Sequence, residues 1–194
     1  TLTRAEVYWH AGNRSGKTYS SAALAVAMLR GEDELDGVKL PVFGRRVTGI
    51  LICPSYKQGA GATIQAIRDL LGDWPHTEAH AGGPDGVSSI HVQQRGERSQ
   101  NRERWSVLYV YPHDGPTPQG VGADFVWADE PPPESHWREA VQRDRGTGVP
   151  FACWISATPL YRLDSAKGAG WEPLLERFKN CRGQIVAGRL RLQS

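Results

Sequence analysis

Residues 9–26, WHAGNRSGKTYSSAALAV, set a small-residue loop, a lysine and a threonine between a β-prone run and an amphipathic run. That succession leaves few ways to fold. Glu6 to His10 favours an extended strand, and from Lys17 to Arg30 the residues Ala22, Ala25, Val26 and Leu29 recur at i, i+3, i+4, i+7 spacing. The reading is strand, loop, helix. Residues 11–18, A-G-N-R-S-G-K-T, follow the phosphate-loop pattern G-x-x-x-x-G-K-[ST] except that Ala11 replaces the first glycine. In such a loop Gly12 and Gly16 let backbone N–H groups turn inward around phosphate oxygens, and the following helix adds the positive end of its dipole. Lys17 would reach the β- and γ-phosphates of ATP, and Thr18 would offer its hydroxyl to Mg²⁺. Ala11, Gly12, Asn13, Arg14, Ser15, Gly16, Lys17 and Thr18 are therefore the candidate nucleotide-binding residues. The competing reading is a helix N-terminal turn that carries a solvated lysine.

The rest of the chain repeats the alternation. Val47 to Cys53 is an apolar run suited to a buried parallel strand, closed by Pro54 and Ser55 and followed by a helix from about Gly61 to Leu71. Ser88 to Gln94 and Trp105 to Tyr111 read as strands flanking the polar segment RGERSQNRER, as in a hairpin with an exposed loop. Asp124 to Ala128 is apolar, Glu134 to Arg143 is helical in character, and Phe151 to Ser156 is another buried strand. A helix near Trp171 to Phe178 and a strand near Gln184 to Gly188 follow. The expected fold is an α/β sandwich on a mostly parallel sheet. At 194 residues with 39% apolar content, one domain with a sizeable core is the default. A net charge of +2 permits nucleic acid as a partner without arguing for it. Three cysteines at wide spacing speak against a disulfide framework or a zinc knuckle and for a reducing, intracellular setting. No run approaches a membrane span, and neither a span nor a basic-then-apolar leader is expected.

A phosphate loop needs a second metal anchor and a group to orient the attacking water. DFVWADE, residues 124–130, offers both at the end of an apolar strand. Asp129 would hold Mg²⁺ through its water shell, and Glu130, pointing the other way, would polarise the water for in-line attack. Their adjacency favours hydrolysis over phosphoryl transfer to another substrate. Taken alone, the pair also reads as a strand ending in solvated acids. Pro131 to Pro133 follow directly, so no regular ladder continues past Glu130. Ser156, Ala157, Thr158 and Pro159 end the next apolar strand, where strand termini line the ligand crevice of a parallel sheet. Ser-Ala-Thr-Pro is equally a good generic turn.

With AGNRSGKT, VWADEPPP and SATP in this order and spacing, the stretch from about Tyr8 to Pro159 resembles the ATPase domain of tailed-phage large terminase subunits. The resemblance implies a P-loop NTPase fold of the ASCE/RecA-like kind, a three-layer sandwich. It also implies an ATP-driven, Mg²⁺-dependent translocase that works as a homo-oligomeric ring on a viral portal and moves double-stranded DNA into a procapsid. A small terminase subunit as partner, and the cytoplasm of an infected bacterial host as location, come with it. By the same resemblance Lys17 and Thr18 match the phosphate and Mg²⁺ positions, Asp129 and Glu130 the metal anchor and catalytic glutamate, and Ser156 to Pro159 a coupling motif. Arg14 resembles an arginine finger acting in cis on the γ-phosphate, with a surface arginine as the plainer alternative. Arg104, Arg138, Arg143 and Arg145 are candidates for a finger given to a neighbouring subunit.

Two departures from the family pattern shape the expectation. Only ten residues precede Ala11, so an upstream adenine-contacting segment is expected to be incomplete, and nothing after Pro159 presents a nuclease-type acidic cluster. The expectation is one ATPase domain over residues 1–194, excised from a longer chain and without nuclease activity. A helicase-like ATPase, or a nucleotide-gated assembly module with little turnover, shares these motifs. Arg95, Arg98, Arg102 and Arg104 are the candidate DNA contacts, with a second basic group at Arg177, Lys179, Arg182, Arg189 and Arg191. Solvated loops are the alternative for both. HTEAH, residues 76–80, does not fit a helical zinc pair, since the glutamate is misplaced and Pro75 and Gly82 disfavour a helix. The tryptophans read as core and interface residues, Trp74 and Trp137 least clearly.

Overall fold

In a computed structural model the described residues are 4–10, 14–55, 59–81, 86–146, 149 and 151–158. Strand β1 (Arg4–His10) leads through the phosphate-loop segment into helix α1 (Lys17–Arg30). A short hairpin, β2 (Glu34–Leu35) with β3 (Val38–Lys39), precedes β4 (Thr48–Cys53) and helix α2 (Gly59–Leu71). Then come β5 (His76–His80), β6 (Val87–Val92), β7 (Ser106–Pro112), β8 (Phe125–Asp129), helix α3 (Glu134–Val141) and β9 (Phe151–Ala157). Seven strands form one sheet in the order β1-β9-β8-β4-β7-β6-β5. The five from β1 to β7 run parallel, while β6 is antiparallel to both of its neighbours. This is the mostly parallel α/β sheet expected of a P-loop NTPase.

The alternation of side chains along each strand sorts the core into two layers. Phe125 and Trp127 of β8, Leu51 and Cys53 of β4 and Trp154 of β9 share one cluster with Ala22, Ala25, Val26 and Leu29 of α1 and Ile64, Ile67 and Leu71 of α2. Val126, Ala128, Ile50, Ile52, Cys153 and Ile155 lie on the opposite face with Trp137, Ala140 and Val141 of α3. Helices thus cover both faces, and each fully buried Leu or Ile contributes about 1.5–3 kcal/mol. Trp127 and Trp137 have no exposed surface, so Trp137, ambiguous in the sequence, belongs to the core. Trp74 is partly buried, donates its Nε1 hydrogen to the Gln93 carbonyl at 2.7 Å and lies 4.0 Å beneath the Arg30 guanidinium.

Two glycines have positional meaning. A Cβ on Gly49 of β4 would collide with the Phe125 ring, so the empty position is what lets Phe125 stack at 5.4 Å on Trp154. Gly31, at φ +71°, closes α1: its N–H reaches the Met28 carbonyl and the Glu32 N–H the Ala27 carbonyl, the paired bonds of a Schellman motif. Residues expected in a helix near 171–178 and a strand near 184–188 lie outside the described residues.

Candidate nucleotide and metal site

The carboxyl ends of the parallel strands converge on the start of α1. That start could receive an anion. Gly16 caps the helix at φ +80°, with no side-chain cap and no acidic residue in the first turn, so the first N–H groups carry no internal competitor. Lys17 is 6% exposed, drawn in beside the helix start rather than extended into solvent. Arg14 is exposed and adopts φ +61°, a left-handed conformation that is strained for a residue with a side chain. A pocket of about 260 Å³ opens here, lined by Arg14, Gly16, Lys17 and Thr18 and, from α2, by Ala62 and Ala66. Ser15 lines it too and is exposed. Ala11, Gly12 and Asn13 lie outside the described residues.

Asp129 ends β8 in phase with Phe125 and Trp127, which aims it at the α1 and α2 side of the sheet. It is 7% exposed and accepts three hydroxyl hydrogen bonds. Thr18 Oγ1 donates to Oδ1 at 3.1 Å across a separation of 111 residues, Ser156 Oγ donates to Oδ1 at 2.9 Å, and Thr63 Oγ1 of α2 donates to Oδ2. Ser156 in turn accepts the indole N–H of Trp127 at 3.0 Å, which ties the carboxylate into the core. A threonine hydroxyl and a carboxylate side by side at a helix start are hard oxygen donors of the kind Mg²⁺ accepts, the remaining positions being left to phosphate and water. Among the described residues there is no cluster of three or more His, Cys, Asp or Glu that could hold a metal.

Glu130 follows at φ +72°, so the backbone turns out of the extended conformation immediately after Asp129. Its N–H donates to the Ser156 carbonyl at 2.8 Å while its carboxylate accepts from Thr158, backbone N–H at 2.9 Å and hydroxyl at 2.6 Å. The two acids therefore face different partners. Burial first, then the charge of Glu130, raises the pKa of Tyr8 on β1. Ala157 is buried on the α3 face, and Pro159 lies outside the described residues. Cys53, at the end of β4, is pushed up to about 12 by burial, then by Asp129 and Asp114, so this thiol is inert near neutral pH.

The candidate DNA arginines lie elsewhere. Register pairs Val92 with Ser106 and Val107 with Thr48, so the loop carrying Arg95, Arg98, Arg102 and Arg104 sits at the amino ends of the parallel strands. A six-residue strand separates it from the Asp129 end of the sheet by about 20 Å. Arg95 and Arg104 line a pocket of about 550 Å³ together with Arg45, Arg46, Phe43 and Glu103. Among the described residues Arg95, Arg98, Arg102 and Arg104 have no carboxylate partner, whereas Arg138 pairs with Glu134, Arg143 with Glu139 and Arg145 with Asp124. HTEAH is the edge strand β5, its Glu78 engaged by Arg68 at 2.6 Å. Thr63 is the site residue that sequence spacing misses.

No family model and no curated protein matches the chain. Among solved structures the fold is similar to the large terminase from the thermophilic bacteriophage D6E, with TM-score 0.57 and 13% identity over 79% of this chain and 34% of that one. A structure of the D6E large terminase in complex with ADP gives 0.53 and 14% over 80% and 33%, and the HK97 bacteriophage large terminase gives 0.51 and 14% over 79% and 29%. The chain spans about a third of the length of these proteins. At such identities the likeness is one of architecture: the described residues share the α/β fold of these large terminases.

Proposed function

We propose that the chain is the Mg²⁺-dependent ATPase domain of a DNA-packaging motor, hydrolysing ATP to move double-stranded viral DNA into a procapsid. The observation that carries the reading is the Thr18–Asp129 contact, which joins the phosphate-loop helix to the acidic strand end with Glu130 one residue beyond. Lys17 and the uncapped N–H groups of α1 bind the β- and γ-phosphates, and Thr18 and Asp129 hold Mg²⁺. The ion supplies charge neutralisation at the phosphates. Glu130 takes the proton from the attacking water, and Arg14 offers its guanidinium to charge developing at the γ-phosphate. Ser156 and Thr158 touch Asp129 and Glu130 respectively, which supports residues 156–158 as the element that senses the nucleotide state. The arginine loop contacts the DNA backbone, and the working unit is a homo-oligomeric ring on a viral portal, with a small terminase subunit, in the host cytoplasm. Among the described residues no helix is long and apolar enough to cross a membrane.

Steady-state ATP hydrolysis by the purified chain, with and without double-stranded DNA, tests this. Lys17→Ala is expected to lower nucleotide affinity by about 100-fold or more, and Glu130→Gln to keep ATP binding while losing about 10²–10⁴-fold in turnover. Wild-type turnover in Glu130→Gln removes that residue from the mechanism. One observation favours a second reading, a nucleotide-gated module slow in isolation: both carboxylate oxygens of Glu130 are occupied by Thr158. Single-turnover rates that rise when Thr158 is replaced by alanine support that reading.

A further inference from the structure

Helix α2 turns Ile64, Ile67 and Leu71 into the core, and Thr63 lies on the same stripe with no exposed surface. A buried hydroxyl on an apolar stripe needs a partner. A threonine inside a helix commonly returns its hydroxyl to the carbonyl one turn back, but Thr63 donates to Asp129 Oδ2 instead, across 66 residues. The two oxygens of Asp129 are thereby distinguished: Oδ2 belongs to α2, and Oδ1 belongs to Thr18 and Ser156. One turn of the same helix also supplies Ala62 and Ala66 to the wall of the pocket beside Lys17 and Thr18. The pocket wall and the tether on the carboxylate are therefore one rigid piece.

We infer that Thr63 is a positioning residue for Asp129, holding Oδ2 so that Oδ1 stays aimed at Thr18 and the metal position. The inference rests on the reading of Asp129 as a Mg²⁺ anchor. Its physical content is rotational. A carboxylate tethered through one oxygen turns about that bond, whereas one tethered through both presents a fixed lone-pair direction. When Thr18 turns its hydroxyl toward the ion, Asp129 loses one of its three donors, and Thr63 and Ser156 remain to hold the plane. Removing Thr63 leaves a nearly buried carboxylate oxygen without its donor, and outer-shell partners of metal ligands typically govern about 10–100-fold in metal affinity.

The experiment titrates Mg²⁺ against the affinity of the full chain for a fluorescent ADP analogue, in wild type, Thr63→Val, Thr63→Ser and Asp129→Asn. Thr63→Val keeps the side-chain shape and removes the donor. Its Mg²⁺ midpoint is expected to rise about tenfold, with metal-free nucleotide affinity within about twofold of wild type. Thr63→Ser, which keeps the hydroxyl, is expected to track wild type. Should Thr63→Val fail to fold, Thr63→Ala takes its place in the same titration with the same expectation. An unchanged midpoint in the variant lacking the hydroxyl overturns the inference while leaving Asp129 intact as anchor. An equal shift in Thr63→Ser also overturns it, because the methyl group and not the hydroxyl would then matter. A wild type whose nucleotide affinity ignores Mg²⁺, like Asp129→Asn, overturns the anchor and Thr63's role together.

Discussion

Strand β8 carries a buried aspartate at each end, and the two are held by opposite means. Asp124, just before the strand, is 3% exposed and receives both Arg45 guanidinium nitrogens, at 3.0 and 2.5 Å, and the Thr48 backbone N–H at 2.8 Å, with Arg145 3.7 Å away. Asp129, at the strand's end, accepts three hydroxyls. A guanidinium cancels the charge it binds. A hydroxyl orients a carboxylate and leaves its charge in place, and it can turn toward a cation when one arrives. The amino end of β8 is thus a charge-neutralised joint, whereas the carboxylate at the other end is held by hydroxyls. Buried acids of equal burial are sorted into structural and chemical ones by whether their donors are charged.

That contrast can be broken at several points. Beyond Lys17 and Glu130, the largest effect expected is at Arg14, whose φ of +61° favours glycine. Arg14→Gly should leave the melting temperature unchanged or raise it and cut turnover by about 10³-fold if the guanidinium stabilises the γ-phosphate. Unchanged turnover makes Arg14 a strained surface residue only. A mixed ring sharpens the point further, since rescue of Arg14→Ala subunits by wild-type neighbours argues for action in trans.

Next come the two aspartates. Asp124→Asn should cost about 2–4 kcal/mol in denaturant unfolding, because Arg45 and Arg145 lose their countercharge, while nucleotide binding persists. Asp129→Asn should change stability by about 1 kcal/mol or less and abolish the Mg²⁺ response. The reverse pattern would collapse the distinction between the two strand ends. Replacing Arg95, Arg98, Arg102 and Arg104 by glutamine should lower the slope of log affinity against log salt for duplex DNA by about 0.9 for each phosphate no longer neutralised. An unchanged slope removes the loop from the DNA path.

The smallest effect concerns His113, just past β7. Burial, then the neighbouring His136, holds its imidazole down at about 4 against the ordinary value of 6.5, with Asp114 acting in the other direction. As pH falls the unfolded chain therefore takes up the proton first. The stability contributed by the neutral ring is intact above about pH 6.5 and is lost as pH drops toward 4. His113→Gln should recover on the order of 1–2 kcal/mol near pH 5, allowing for solvent that still reaches the ring, and show no gain at pH 7.5.

Much of this architecture is legible in the residues. The Lys17–Arg30 periodicity matches α1, and VTGILIC, FVWA and FACWIS match buried parallel strands because fully covered strands must be apolar on both faces. β5 escapes because HTEAH has neither alternation nor β-branched density. It forms through pairing with β6 and through Arg68 gripping Glu78 from α2. The β2–β3 hairpin, two residues on each side, is too short to leave a periodic trace. At the candidate site, Lys17, Thr18, Asp129 and Glu130 stand out in the sequence because each falls at a fixed position within a local motif. Thr63 is not, since a lone threonine in GATIQA carries no local signal and meets Asp129 only through the packing of α2 on the sheet. Likewise, the motifs show that Glu130 is next to Asp129, but only the sheet register brings Thr158 to it.

The left-handed turn at Glu130, followed by three prolines, has a consequence for folding fidelity. A strand that could continue past Asp129 could also slide along its neighbours, and a slip of one residue exchanges every side chain between the two faces. Here it would bring Phe125 and Trp127 to the α3 side and turn Asp129 away from both α1 and α2. The stop after Asp129 acts as a ruler, fixing where the strand ends and so which face each residue takes. Under the proposed function, metal-dependent nucleotide binding would double as an assay of register: a sheet assembled one residue out of step would be silent, not altered in specificity.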